Sequence, residues 1–100
     1  MGTRDRALSL RLFVAGNSPD SAIAVANLKA LFPKGASHEV EMEIVDVQHE
    51  PERAARDGIM VTPTLLKLSP APRVRVLGTL KNREALLSLL GIEIPRPDPS

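Results

Sequence analysis

The chain has 100 residues and a formal net charge of +1, length enough for one domain whose core leaves no room for a large internal cofactor cavity. With 43% hydrophobic and 25% charged residues, it falls in the range of soluble globular domains, which excludes disorder throughout. Cysteine is absent, which removes disulfides, thiolate nucleophiles, zinc–cysteine sites and iron–sulfur ligation together.

Residues 1–7 read as an N-terminal extension, 8–91 as the domain and 92–100 as a tail rich in proline. From Leu8 to Val14 the chain alternates, with Leu8, Leu10, Leu12 and Val14 on one face and Ser9, Arg11 and Phe13 on the other. Period two predicts a strand. Ser18-Pro19-Asp20 then starts a helix: a capping hydroxyl, a proline suited to the first helical position, and an acid at the positive end of the dipole. Its apolar stripe is Val25, Leu28, Leu31 and Phe32, and Pro33 and Gly35 stop it. Glu39 to Val47 alternates again, as a second strand more buried toward its end. Glu50-Pro51-Glu52 opens a short helix through Asp57, with Gly58 as its left-handed cap. Ile59 to Leu68 is apolar and contains Pro63. Pro70-Ala71-Pro72 breaks the chain before a strand at Arg73–Leu77 closed by Gly78. Residues 82–90 read as a helix stopped by Gly91. This local order, β-α-β-α-β-β-α, is the thioredoxin arrangement, with a parallel first pair and a hairpin across Pro70-Ala71-Pro72.

Few residues invite chemistry. In a thioredoxin-like fold the redox thiols sit after the first strand, where this chain has Gly16-Asn17-Ser18-Pro19-Asp20-Ser21. Ser18 and Ser21 lack an evident base to activate them, and helix capping accounts for them better. His38 and His49 are the only histidines; they do not supply the three or four ligands of a metal site, so no metal and no cofactor is expected. Glu39, Glu41 and Glu43 read as an exposed strand face that discourages edge pairing. Thr62-Pro63 allows either a cis bond facing the Gly16 loop or an edge-strand proline in trans. Arg73, Arg75, Lys81 and Arg83 form a basic cluster, by itself an ordinary solvated face. Phe13 and Phe32 are too few aromatics for stacked bases. The first half carries a net −2 and the second a net +3, too weak an asymmetry for DNA binding. No apolar run approaches the roughly 20 residues of a membrane span, and Arg11 spoils a secretory signal. Neither nucleic acid nor membrane is an expected partner, and a cytoplasmic location is expected.

Several segments together resemble the KaiB family of circadian clock proteins and its relatives in other bacteria. They are Leu12-Phe-Val-Ala-Gly-Asn-Ser-Pro-Asp-Ser21, Ile44-Val-Asp-Val47, Val61-Thr-Pro-Thr-Leu65, Pro70-Ala-Pro72 and Gly78-Thr-Leu-Lys-Asn-Arg-Glu84. The likeness runs from about Leu8 to Leu90, and its combination is specific where no single piece is. It implies a non-enzymatic regulator that binds the hexameric ATPase and autokinase KaiC, sequesters KaiA where present, and so promotes KaiC dephosphorylation. Such proteins compete with a clock histidine kinase whose sensor domain is also thioredoxin-like. The family is metamorphic, which is physically admissible when two packings lie within a few kcal/mol. The resemblance puts first a resting β-α-β-β-α-α-β fold in a homodimer or homotetramer; the alternative is the thioredoxin-like β-α-β-α-β-β-α monomer that binds partners.

By the same resemblance, Lys67, Arg73 and Arg75 are partner-binding positions, and Pro63, Pro70, Pro72, Gly78 and Thr79 belong to the fold-switching region. Exchanging Lys67 and Arg75 for glutamate is expected to leave the fold intact and to weaken ring binding. Departures are clear: Thr79 stands for the usual Asp, Lys81 for a capping Ser, Ile23 for a frequent Arg and Gly58 for a frequent Lys. The proline-rich tail replaces an acidic one. These mark a divergent relative, one suited to an organism without KaiA, in rhythmic timing or in KaiC-linked stress signalling. Lys81→Ser is expected to strengthen the last helix and favour the thioredoxin-like monomer, with Asn82 as the alternative cap one residue later. Two other readings are a redox enzyme of thioredoxin type, opposed by the missing cysteine, and an interaction domain related to the kinase sensor.

Overall fold

Alternation over Leu8–Val14 makes strand β1, and its two faces feed two different cores. Leu8, Leu10, Leu12 and Val14 enter the larger core, while Phe13 enters a smaller one on the opposite side. The computed structural model describes residues 8–32 and 40–91. The expected helix stop at Pro33 and Gly35, His38, Glu39, the N-terminal extension and the proline-rich tail lie outside the described residues.

Helix α1 (Pro19–Leu31) starts where its signals place it. The Ser18 hydroxyl accepts from the Ser21 amide at 3.2 Å, with Pro19 at the first helical position and Asp20 in the first turn. Ala24 and Leu28 are buried against the larger core, and Val25, Leu31 and Phe32 pack on it in part. Strand β2 (Val40–Asp46) pairs parallel with β1, Leu8 opposite Val40 and Val14 opposite Asp46. Its burial rises only at Val45, which has 0% exposure and joins the smaller core; Ile44 is 39% exposed.

Helix α2 (Pro51–Arg56) is short and covers the smaller core through Ala54. Gly58 follows with φ +68, as its capping position requires. Strand β3 (Thr64–Ser69) begins only after Pro63, so Met60 and Val61 are not part of a buried strand and are 90% and 51% exposed. Pro63 lacks the amide a ladder needs; its peptide bond is cis, and the Thr64 hydroxyl donates to the Val61 carbonyl at 2.7 Å to close the bend. Strand β4 (Val74–Leu77) returns antiparallel to β3. Helix α3 (Arg83–Leu89) packs through Leu86 onto the larger core.

The sheet order is β2-β1-β3-β4, with β1 and β2 parallel and the other pairs antiparallel. Helices α1 and α3 serve the larger core and α2 the smaller one on the other face. This is the β-α-β-α-β-β-α order of the local signals, and it differs from the resting order that the family resemblance puts first. The reason lies in residues 73–91: Val74–Leu77 alternates as a strand, and Asn82 then starts a helix.

That start decides between the two capping positions in favour of Asn82. The Asn82 side chain already accepts from the Ala85 amide at 2.9 Å, so Lys81 lies outside the cap. Lys81→Ser therefore gains nothing in this fold. Asn82→Ala should cost about 1 kcal/mol, read as a lower urea midpoint in circular dichroism; equal midpoints for Asn82→Ala and the parent would disprove the cap. Between β4 and α3, Leu80 takes φ +66, a region that costs a non-glycine residue about 1–3 kcal/mol. Its burial in the larger core offsets that cost.

Candidate partner-binding surface

The three expected partner-binding residues sit on the β3–β4 hairpin, and the structure gives them different positions. Arg73 precedes β4 and is exposed. Arg75 lies opposite Leu66 on the face of the smaller core. Its guanidinium donates to the Gly58 and Asp57 carbonyls, both at 2.9 Å, and so fastens β4 to the end of α2. Cations suit the carbonyl end of a helix. Lys67 lies two residues from Leu65 and shares its face, toward the larger core. It is only 3% exposed, and its Nζ donates to the Leu90 carbonyl at 3.3 Å, at the end of α3. Lys67 and Arg75 are thus both occupied within the fold, which corrects the expectation that their joint exchange leaves it intact.

Beside the hairpin lies a groove of about 310 Å³ with Leu66 and Leu68 on its floor and Arg56, Arg73 and Arg75 around it. A chain of charge runs from it across the α2 face. The Asp57 carboxylate accepts from Arg11 at 2.9 Å, Arg11 reaches Glu43 at 3.0 Å, and Arg53 reaches the other Glu43 oxygen at 2.6 Å. The Arg53 hydrogen bond, opposed by partial desolvation and helped by Arg11, holds the Glu43 carboxyl down at about 2. Exposed pairs contribute little singly and more as a network.

Asp46 is also held below the ordinary carboxylate range, by the Gln48 amide first and the Gly16 amide after burial is set against it. Both shifts are depressions. Their stabilisation is therefore present above the unfolded carboxylate range and is lost as pH falls through the folded values. Glu43→Gln should flatten the loss of stability between about pH 4.5 and 2, measured by urea midpoints. An unchanged acid limb would contradict the network.

The positions expected to take part in fold switching lie at the ends and turn of the same hairpin. Pro63 is buried at the start of β3; Pro70 and Pro72 form the turn, each after a cis bond. Gly78 follows β4 with φ +101, and its amide donates to the Pro63 carbonyl at 3.0 Å. A Cβ there would have no neighbour within 4 Å, so the backbone angle is what favours glycine. The Thr79 carbonyl accepts from the Asn27 side chain at 2.7 Å, which ties the segment to α1.

The loop after β1 is built for structure. The Ser21 hydroxyl is buried and accepts from the Ala15 amide at 3.0 Å, and Ser18 caps α1. Gly16 (φ +52) donates to Asp46 at 3.1 Å, and a Cβ there would lie 2.6 Å from the Gln48 side-chain oxygen. His49 Nδ1 is 3.4 Å from Asp46 and mostly exposed. Among the described residues no group of three or more His, Asp or Glu is placed to hold a metal, and no helix is long and apolar enough to cross a membrane. Sequence reasoning missed Asp57, Arg11 and Asp46. Only the charge alternation of β1 and β2, which puts Arg11 opposite Glu43, gave a signal for any of them.

Known proteins share this architecture. The solved chloroplastic thioredoxin z superposes with a TM-score of 0.72 at 18% identity, covering 89% of this chain and 79% of that one. That likeness establishes a thioredoxin-like fold. The N-terminal domain of Synechococcus elongatus SasA superposes with a TM-score of 0.67 at 27% identity, covering 85% and 84%. The circadian clock protein KaiB3 of a Synechocystis strain is 41% identical over 85 residues, 85% of this chain and 81% of that protein. The KaiB domain matches residues 11–92, from the middle of β1 to just past α3. A match of that extent, together with a relative 41% identical over 85 residues, makes this chain a member of the KaiB family.

Proposed function

We propose that the chain is a clock or regulatory adaptor without catalytic activity of its own, which binds a hexameric KaiC-type ATPase and autokinase ring. Where KaiA is present, the ring-bound form sequesters it and promotes dephosphorylation of the ring. The observation that carries this reading is the KaiB domain match over residues 11–92. Arg73, exposed beside the groove, is the partner contact with the clearest access; Arg75 shapes the same edge, and Lys67 contributes through the packing of α3. Pro63, Pro70, Pro72, Gly78 and Thr79 form the switching segment, with a homodimer or homotetramer as the resting state and the cytoplasm as its place. The likeness to the SasA N-terminal domain supports competition with a clock histidine kinase for one ring surface. It equally favours a second reading, a stand-alone interaction domain of that kind. In an organism without KaiA the same ring binding would serve stress or other signalling.

Sedimentation velocity of the chain mixed with a purified KaiC-type ring tests this directly. The chain should move with the ring. Arg73→Glu should weaken binding roughly tenfold, about 1.4 kcal/mol, without lowering stability. No co-sedimentation at tens of micromolar would refute the reading. Insulin reduction should not rise above a protein-free control, since a thiol is missing from the chain.

A further inference from the structure

We infer that the open edge of β4 is a docking site for an acidic, extended peptide segment, which adds a strand there while its carboxylates meet Arg56 and Arg73. The inference deepens the adaptor reading and rests on it only for the source of the segment.

Four observations lead to it. First, β4 is an outer strand of the sheet. The bond from the Gly78 amide to the Pro63 carbonyl fixes the phase of the β3–β4 ladder. In an antiparallel pair the bonded pairs alternate, so Val76 and Val74 turn their backbone groups to Leu65 and Lys67. Arg75 and Leu77 therefore turn theirs to the open side. An added strand finds donors and acceptors there at the spacing it needs.

Second, the edge has a floor for side chains. The groove beside it is lined by the half-buried Leu68 below the arginines, and Leu77 is 59% exposed. Third, its charge is uncompensated among the described residues. Asp57 is engaged by Arg11, and Arg75 is engaged by two carbonyls. Arg56 and Arg73 are exposed and form no ion pair with any described residue. Fourth, the two sheet edges differ in sign. The β2 edge carries the exposed Glu41 and no basic residue of its own, so an acidic strand is favoured less there than at β4.

A second copy of the chain fits less well. Two-fold pairing of β4 with itself would set Arg73 and Arg75 against their own images. Pairing of β4 with a neighbour's β2 would draw on Glu43, which Arg11 and Arg53 already hold.

The probe is a synthetic peptide alternating acidic residues with valine, seven residues long by design, titrated into the labelled full chain and followed by amide NMR shifts. Saturable shifts are expected at Val74–Leu77 and Arg56–Gly58. Binding should weaken at least tenfold in Arg56→Glu/Arg73→Glu, and to a lesser degree in Arg56→Gln/Arg73→Gln should the first variant misfold. The same peptide with lysine for each acid should not bind. Shifts centred on Val40–Asp46, equal affinity for the lysine peptide, or no saturable shift would each overturn the inference. So would shifts at Val74–Leu77 that grow with protein concentration alone, which would make a second copy the occupant. The ring experiment separates the two proposals. Peptide binding without ring binding leaves the edge site and defeats the adaptor reading. Ring binding by the parent, with no saturable peptide binding, defeats the edge site and leaves the adaptor.

Discussion

Lys67→Glu should cost the fold more than about 3 kcal/mol, a large share of the 5–15 kcal/mol that holds a domain together. The position is 3% exposed, and its amine donates to the Leu90 carbonyl. A glutamate there would bring a second acceptor, and a negative charge, to the carbonyl end of α3. Lys67→Met keeps the apolar stem and gives up a charge-assisted hydrogen bond, so it should cost only about 1.5–3 kcal/mol. Urea unfolding of the two variants measures the difference. A Lys67→Glu midpoint equal to that of the parent would show that the amine is not enclosed by α3. Loss of ring binding in Lys67→Glu would consequently report unfolding, and Arg73→Glu is the variant that isolates contact.

Phe13→Ala should be as damaging, at about 3–5 kcal/mol. Phe13 is fully buried in the smaller core, where Val45, Ala54 and Leu66 are its buried companions. A core of that size has little to refill the space. Helix α2 is too short to persist without it, since isolated helices need more than ten residues even to be marginal. Amides of α2 should lose protection from exchange ahead of those of α1. Uniform loss across both helices would show the two faces to be one cooperative unit, and a cost below about 1 kcal/mol would place Phe13 outside a packed core.

Much of this architecture is legible in local sequence, for identifiable reasons. The two faces of β1 follow from alternation, and the start of α1 from Ser18-Pro19-Asp20. The Gly58 cap follows from a glycine just past a short helical run. Four features were less accessible. Lys67 reads as surface by residue type, although its spacing from Leu65 puts it on the buried face. The clamp from Arg75 to the end of α2 and the pair of Arg11 with Asp57 join residues far apart in the chain, beyond the reach of periodicity. The choice between two element orders over residues 73–91 depends on packing as well as on local preference. Asn82 as the cap, rather than position 81, tilts the local preference toward strand then helix.

Backbone NMR of the isotope-labelled chain, free and bound to an unlabelled KaiC-type ring, tests the central claim most directly. That claim is that the thioredoxin-like order is the partner-binding form of this chain. In the bound state, carbon shifts and exchange protection should define a strand at Val74–Leu77 and a helix at Arg83–Leu89, as in the structure described here. A bound chain with helical shifts at Val74–Leu77, or strand shifts at Arg83–Leu89, would contradict it.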